Sequence, residues 1–375
     1  MLYLDHAATS PVRPEVLEAM SPYLTAAFGN PSSHHTVGEV AANALHDARA
    51  RVAAVLGMRT GDVVFTSGGT EANNLAVKGI VLGGTRRHLV VSPVEHESIL
   101  ESAGYLHRLH GVEVTVLDAD EAGRITPEAL TAAVRPDTAL VSLGHANNEI
   151  GTVQDAAALA EVAHSLGTLL HVDAVQSAGW LALSGLEADA VSIAGHKLGA
   201  PKGTGALAVR GRIPLEPLLH GGGQERGRRS GTENVAGAVA LATALELAER
   251  ERETTATRVG DLTRRFIGDV LRLVPGAALT GDPMRRLPGT ASFTFAGTSG
   301  EAVLLELERR GVISSSGSAC AAGSDEPSHV LVACGIPPEV AQTSVRFTFG
   351  RDPLPDDAPE RLAALVADAV HAVSR

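Results

Sequence analysis

The chain reads as an α/β protein, with a mainly parallel sheet of seven buried strands between helical layers, followed by a smaller α+β domain. Three observations predict this. Short apolar runs recur at 63–66, 88–92, 113–117, 139–143, 169–172, 190–194 and 205–209. Several are nearly continuous Val, Ile and Leu, the pattern of strands covered on both faces. Helix-like segments, such as 71–79, 98–109, 127–133 and 156–166, separate them, and such alternation builds parallel sheets. After about Gly231 the alternation stops. An Ala-, Glu- and Arg-rich stretch over 234–274 predicts one or two long helices. A strand at 291–295, a helix at 301–310, a Ser/Gly-rich loop, a strand at 344–349 and a terminal helix follow it.

The bulk numbers agree with this division. At 375 residues the chain exceeds one ordinary core, so its length calls for two domains or one large α/β domain. Hydrophobic residues make up 44% and charged residues 20%, as in globular proteins. Aromatics are only 3%, so small aliphatic side chains must do most of the packing. A net charge of -12 argues against general nucleic-acid binding, which needs a positive field to displace counterions. No apolar run approaches the roughly 18 residues of a membrane helix, and the N-terminus shows no signal-peptide pattern. The cysteines, Cys320 and Cys334, are too few for a disulfide framework and lack metal-ligand spacing, so a reducing cytoplasm is expected.

In open parallel sheets, ligands bind beyond the carboxyl ends of the strands. Here those positions are chemically loaded. The run 63–66 leads into Ser67-Gly68-Gly69-Thr70 and then a helix. The next rim residues are His96 after 88–92, then His145, Asn147 and Asn148 after 139–143. Asp173 and Gln176 follow 169–172, and His196 and Lys197 follow 190–194. Five strands thus deliver polar groups to one rim. The Gly-rich turn suits a phosphate, because glycines let backbone approach a ligand and a helix start offers N–H groups. Taken alone, the segment more often marks an ordinary Gly-rich strand-to-helix turn with Thr70 as N-cap. It lacks the P-loop and dinucleotide patterns, which counts against ATP, GTP and NAD.

Asp173, just past a buried strand, calls for a cationic partner. A protonated pyridine nitrogen, a nearby arginine or a helix N-terminus would each serve. Lys197 could be a Schiff-base amine or a solvated loop lysine. Arg346 alternates with apolar residues on a predicted strand. It could hold a substrate carboxylate in an interdomain cleft or be a solvated edge charge. The cluster Arg226, Arg228 and Arg229 lies in a Gly-rich loop, solvated or against a neighbouring subunit. Cys320 sits in a Ser/Gly/Ala run, 314–324, that cannot pack a core and reads as an exposed, mobile loop. Cys334 falls in a helix-like run ended by Gly335 and reads as structural.

Ordered motifs along nearly the whole chain resemble the NifS/IscS-like cysteine desulfurases, class V aminotransferase-like enzymes of PLP fold type I. They include Asp5-His6-Ala7-Ala8-Thr9, Ser67-Gly68-Gly69-Thr70-Glu71, Glu95-His96, Asn147-Asn148-Glu149-Ile150-Gly151, Asp173-Ala174-Val175-Gln176, Gly195-His196-Lys197, Arg229-Ser230-Gly231-Thr232 and Gly317-Ser318-Ala319-Cys320. The resemblance implies a PLP-binding domain over 13–255 and a smaller domain from 1–12 and 256–375 that carries the cysteine loop. It implies pyridoxal 5'-phosphate in a Schiff base with Lys197, His96 stacked on the ring, and Asp173 at the ring nitrogen. Gln176 and Asn148 would lie near the phenolic oxygen. Gly69, Thr70 and His196 would hold the phosphate, joined by Thr232 from the other subunit of a homodimer. Arg346, helped by Asn148, would take the carboxylate of L-cysteine, and Cys320 would accept the sulfur for an acceptor such as an iron–sulfur scaffold. Selenocysteine lyases and other PLP lyases or aminotransferases share the scaffold and are the alternative. One departure stands out: Ala194 occupies a position where the resembling enzymes often carry a phosphate-binding Ser.

Overall fold

The computed structural model describes residues 1–317 and 326–374. In chain order the strands are β1 (Leu2–Tyr3), β2 (Val63–Thr66), β3 (His88–Val91), β4 (Glu113–Val116), β5 (Thr138–Gly144), β6 (Leu169–Asp173), β7 (Ala190–Ala194), β8 (Gly205–Val209), β9 (Ala277–Leu279), β10 (Thr290–Phe295), β11 (Val312–Ile313) and β12 (Ser344–Thr348). The seven apolar runs become one sheet in the order β2-β8-β7-β6-β5-β3-β4. All neighbours pair in parallel except β8, which is antiparallel to both β2 and β7.

Side chains alternate across a strand, and both faces are covered here. Val63, Val141, Val172 and Ile193 pack into a core with the helices Thr36–Leu56, Ala156–Ser165 and Val235–Arg250. Val64, Leu140, Ala190 and Leu207 pack against the helices Gly69–Gly83 and Glu97–His110 on the other side. Two covered faces are why these runs are continuously apolar. Small side chains let the helices approach closely: Ala236, Ala240, Ala244 and Ala248 of Val235–Arg250 are all buried. The helix Thr36–Leu56 is absent from the segments expected above. Its 21 residues mix Ala, Arg, His and Glu, so the apolar face is weakly marked.

The Ala/Glu/Arg-rich stretch forms two helices, Val235–Arg250 and Arg252–Leu273. The second opens a separate core with the sheet β12-β10-β9 and the helices Gly300–Arg309 and Ala358–Val373. Five of the chain's seven phenylalanines meet there (Phe266, Phe293, Phe295, Phe347 and Phe349), mostly edge to face. The low aromatic content is therefore concentrated rather than spread thin. The N-terminal residues join this core: β1 pairs in parallel with β11, Leu4 is buried in it, and Asp5 bridges to Thr348. Val16, only twelve residues later, lies in the first core. The chain between them crosses the cleft that both cores share.

Candidate active site

A cavity of about 510 Å³ opens at the carboxyl rim of the large sheet, the size range of small-molecule sites. Its lining includes residues following β2, β3, β5, β6 and β7, as expected, together with Arg346 from β12. Gly69, Thr70, His96, Asn148, Asp173, Gln176, His196, Lys197 and Arg346 all line it. Thr232 is exposed and does not line its own chain's cavity. Cys320 lies outside the described residues. His145, expected at the rim, turns inward instead: its Nδ1 meets Ser177 Oγ at 2.9 Å, and burial pushes it down to about 4.

At one end of the cavity the helix Gly69–Gly83 begins without a side-chain cap. Gly68 has φ 156°, and a Cβ on Gly69 would lie 2.7 Å from Val175 Cγ2. Glycine is therefore required for this turn to sit against the strand ends. The start of the helix leaves backbone N–H groups without intrahelical acceptors, the condition for anion binding. Ala194 lines the same end. His196, on a 3₁₀ turn over Gly195–Lys197, has Nδ1 3.2 Å from Thr9 Oγ1. Burial, then the charges of Lys197 and Lys202, push it down to about 4, so it stands neutral near pH 7.

Asp173 ends β6 on the cavity floor. Its Oδ1 accepts from Val175 N at 2.8 Å and its Oδ2 from Asn73 Nδ2 at 2.7 Å. Burial raises its pKa, while these two donors and the charges of His96 and Lys197 act in the opposite direction. A rigid ladder lies below it in the sheet. His171 Nδ1 meets Ser142 Oγ and Nε2 meets Ser192 Oγ, each at 2.8 Å, tying β5, β6 and β7 together. Burial pushes His171 down to about 3, so the ladder stays uncharged.

His96 caps the helix Glu97–His110, with Nδ1 accepting from Ser98 N at 3.0 Å. A backbone N–H can only donate, so the proton of neutral His96 sits on Nε2. Lys197 Nζ donates to the carbonyl of Ala8 at 2.7 Å and also to that of Ala7. Gln176 Nε2 donates to Ala7 O at 3.1 Å. Arg346 is only 1% exposed, so it is no solvated edge charge. Val345 and Phe347 point into the phenylalanine core, and strand alternation turns Arg346 the other way, toward the cavity. Its Nη1 donates to Asn148 O at 2.8 Å and Gly317 O at 3.1 Å, and its Nη2 to Asp5 Oδ1 at 2.7 Å.

Several contributors escaped the sequence reading. Asn73, Glu95 and Glu149 line the cavity, as do Ala7 and Ala8, beside Asn147, which was expected at the rim. Asn147 Oδ1 accepts from Glu149 N and Ile150 N, and its Nδ2 donates to Val94 O, so it ties the turn after β5 to the turn after β3. Burial pushes Glu95 up to about 7 against a 2.6 Å donation from Ser92 Oγ. Only Asn73 carried no positional signal, being mid-helix; the others lie within motifs quoted above. The loop arginines are engaged within the chain: Arg226 donates to Val63 O, and Arg229 pairs with Glu71 at 2.9 Å. Cys334 is 5% exposed, and burial pushes its thiol up to about 11, which leaves it unreactive.

A cavity between the rim of a seven-stranded, mainly parallel sheet and a smaller α+β layer is the architecture of fold-type-I pyridoxal-phosphate enzymes. Comparison with known proteins narrows this class to a family. The chain belongs to the aminotransferase class-V family, whose pattern it matches over residues 2–357. It is similar to cysteine desulfurase IscS of Dictyoglomus turgidum, 44% identical over 353 residues, covering 93% of this chain and 89% of that one. It is also similar to cysteine desulfurase IscS of Methanosarcina thermophila, 42% identical over 373 residues, covering 98% and 92%. Among solved structures, a NifS-like protein superposes with a TM-score of 0.91 at 32% identity, covering 99% of this chain and all of that one.

Proposed function

We propose that this chain is a cysteine desulfurase that moves the sulfur of L-cysteine onto Cys320 and releases L-alanine. The observation that carries the reading is a single cavity holding Lys197, Asp173 and Arg346, in a chain more than 40% identical to cysteine desulfurases. Residues 13–255 form the cofactor-holding unit, and 1–12 with 256–375 the smaller one. A homodimer, in which Thr232 reaches the neighbouring cavity, and a cytoplasmic sulfur acceptor such as an iron–sulfur scaffold complete the reading. Among the described residues no helix is long and apolar enough to cross a membrane.

The residues fit pyridoxal phosphate. The glycine-led helix start and neutral His196 suit its phosphate. Asp173 is a buried carboxylate whose raised pKa a protonated ring nitrogen would lower. When bound, the cofactor supplies a carbonyl carbon that takes amines and a ring that draws electrons from the substrate's Cα. Lys197 Nζ is the amine for that carbon and can take up and return a proton in the cavity. Asp173, held by Val175 N and Asn73, keeps a negative charge at the floor. His96 presents Nε2–H, and Gln176 is oriented by Ala7 O. Arg346 orients the substrate through its carboxylate.

The sulfur step balances between two thiols and one C–S bond. Cys320 and L-cysteine become a persulfide on Cys320 and L-alanine: one S–S bond forms, the C–S bond breaks, and the carbon takes a proton. Cys320→Ala is expected to keep the visible absorption band and its change on adding L-cysteine, while alanine and sulfide production stop. Sustained turnover by that variant would sink the assignment.

Ala194 leaves the phosphate end one hydroxyl short. Ala194→Ser, adding a donor to a dianion, is expected to lower the dissociation constant of pyridoxal phosphate about tenfold. Equilibrium titration of the cofactor-free protein measures this, and an unchanged constant would mean that the hydroxyl cannot reach the phosphate.

A further inference from the structure

Among the described residues lining the cavity, Arg346 is the only arginine. Its charge does not reach the cavity undiluted. Nη2 donates to Asp5 Oδ1 at 2.7 Å, yet Asp5 does not line the cavity, so it meets the guanidinium from outside. The main chain of Asp5 is also fixed in place. Its carbonyl accepts from Tyr3 Oη at 3.0 Å and Ala8 N at 3.0 Å, and its backbone bridges Thr348. Nη1 is committed to two backbone carbonyls, Asn148 O and Gly317 O. The guanidinium is thus held by its carbonyl partners, while its charge is compensated from behind by one carboxylate carried on an anchored stretch of backbone.

We propose that Asp5 is a positioning residue that tempers Arg346 and so sets the affinity of the cavity for an amino-acid α-carboxylate, that of substrate and product alike. The inference rests on the reading that Arg346 receives the substrate carboxylate. An incoming anion must share one buried guanidinium with Asp5, and the two carboxylates repel through a medium less screening than water. L-cysteine and L-alanine carry the same α-carboxylate. Tightening its grip binds ground state and product equally and adds nothing to the chemical step. A permanent counter-ion behind Arg346 keeps the product from lingering.

Two substitutions separate charge from geometry. Asp5→Asn keeps an acceptor oxygen for Nη2 and removes the negative charge. In the holoenzyme it is expected to lower both the KM for L-cysteine and the calorimetric dissociation constant for L-alanine, by a similar factor of about ten. Asp5→Ala removes the acceptor as well and is expected to bind alanine more weakly than Asp5→Asn. Arg346→Ala serves as the control. Equal alanine affinity in wild type and Arg346→Ala would overturn the carboxylate role of Arg346 and this proposal with it. Alanine binding that depends on Arg346 but is unchanged or weakened in Asp5→Asn would overturn the role of Asp5 alone.

Discussion

Lys197→Ala is expected to leave a folded protein that has lost its visible absorption band and at least about a thousandfold of its cysteine turnover. The size follows from two losses at one atom. Among the described residues lining the cavity Lys197 carries the only amine, Nζ, so no other of them can hold a carbonyl carbon covalently. The same Nζ is the group able to carry a proton between substrate and cavity. Folding is spared because Lys197 sits on a short 3₁₀ turn past β7 at the edge of the cavity, outside both hydrophobic cores. The absorption spectrum of the purified variant, with and without added pyridoxal phosphate, checks the first loss, and alanine production checks the second. A variant that kept both band and rate would remove the basis for the cofactor reading.

Asp173→Asn has the next largest effect, and it separates function from stability. Asn at this position is isosteric and keeps an oxygen for the Val175 N–H, while its amide NH2 replaces the acceptor of Asn73, whose side-chain amide must turn over to present its unpartnered oxygen. What the substitution loses is the charge proposed to face the cofactor's ring nitrogen. Breaking a buried charge pair costs about 3–5 kcal/mol, so turnover is expected to fall roughly 10²- to 10⁴-fold. Stability should move the other way. Burial raises the folded-state pKa of Asp173, so the ionised carboxylate destabilises the cofactor-free protein, increasingly as pH climbs from the unfolded toward the folded pKa. The melting temperature of cofactor-free Asp173→Asn at neutral pH is therefore expected to equal or exceed that of the wild type. A fall in melting temperature with unchanged turnover would show that Asp173 is structural.

These two residues were legible without coordinates, and the reason is geometric. A strand buried on both faces is written as a nearly continuous apolar run, and the first residues after the parallel ones lie on one edge of the sheet. Hence β2, β7 and β8 matched the expected spans residue for residue, and Asp173, His196 and Lys197 fell on the rim. The alternation of Val345, Arg346 and Phe347 likewise showed that Arg346 faces away from a core, though not what it faces.

What escaped was everything defined by a partner distant in the chain. The strands β1 and β11 are two residues each and exist only because they pair with one another. Asn73 is an unremarkable helix residue until Asp173, a hundred positions later, arrives beside it. The carbonyls of Ala7 and Ala8 have no side-chain signature at all, yet they receive Lys197. His145 read as a rim residue because position after a strand does not reveal which way a ring turns; Ser177 decided that. The amino-acid order by itself determined the sheet, its chemical edge and the family of the chain, because periodicity and local motifs are short-range properties. Only the tertiary structure decided the electrostatic state of the site. The ion pair of Asp5 with Arg346 and the burial that shifts Glu95 and His196 arise when separate segments exclude water together, and no local pattern encodes that.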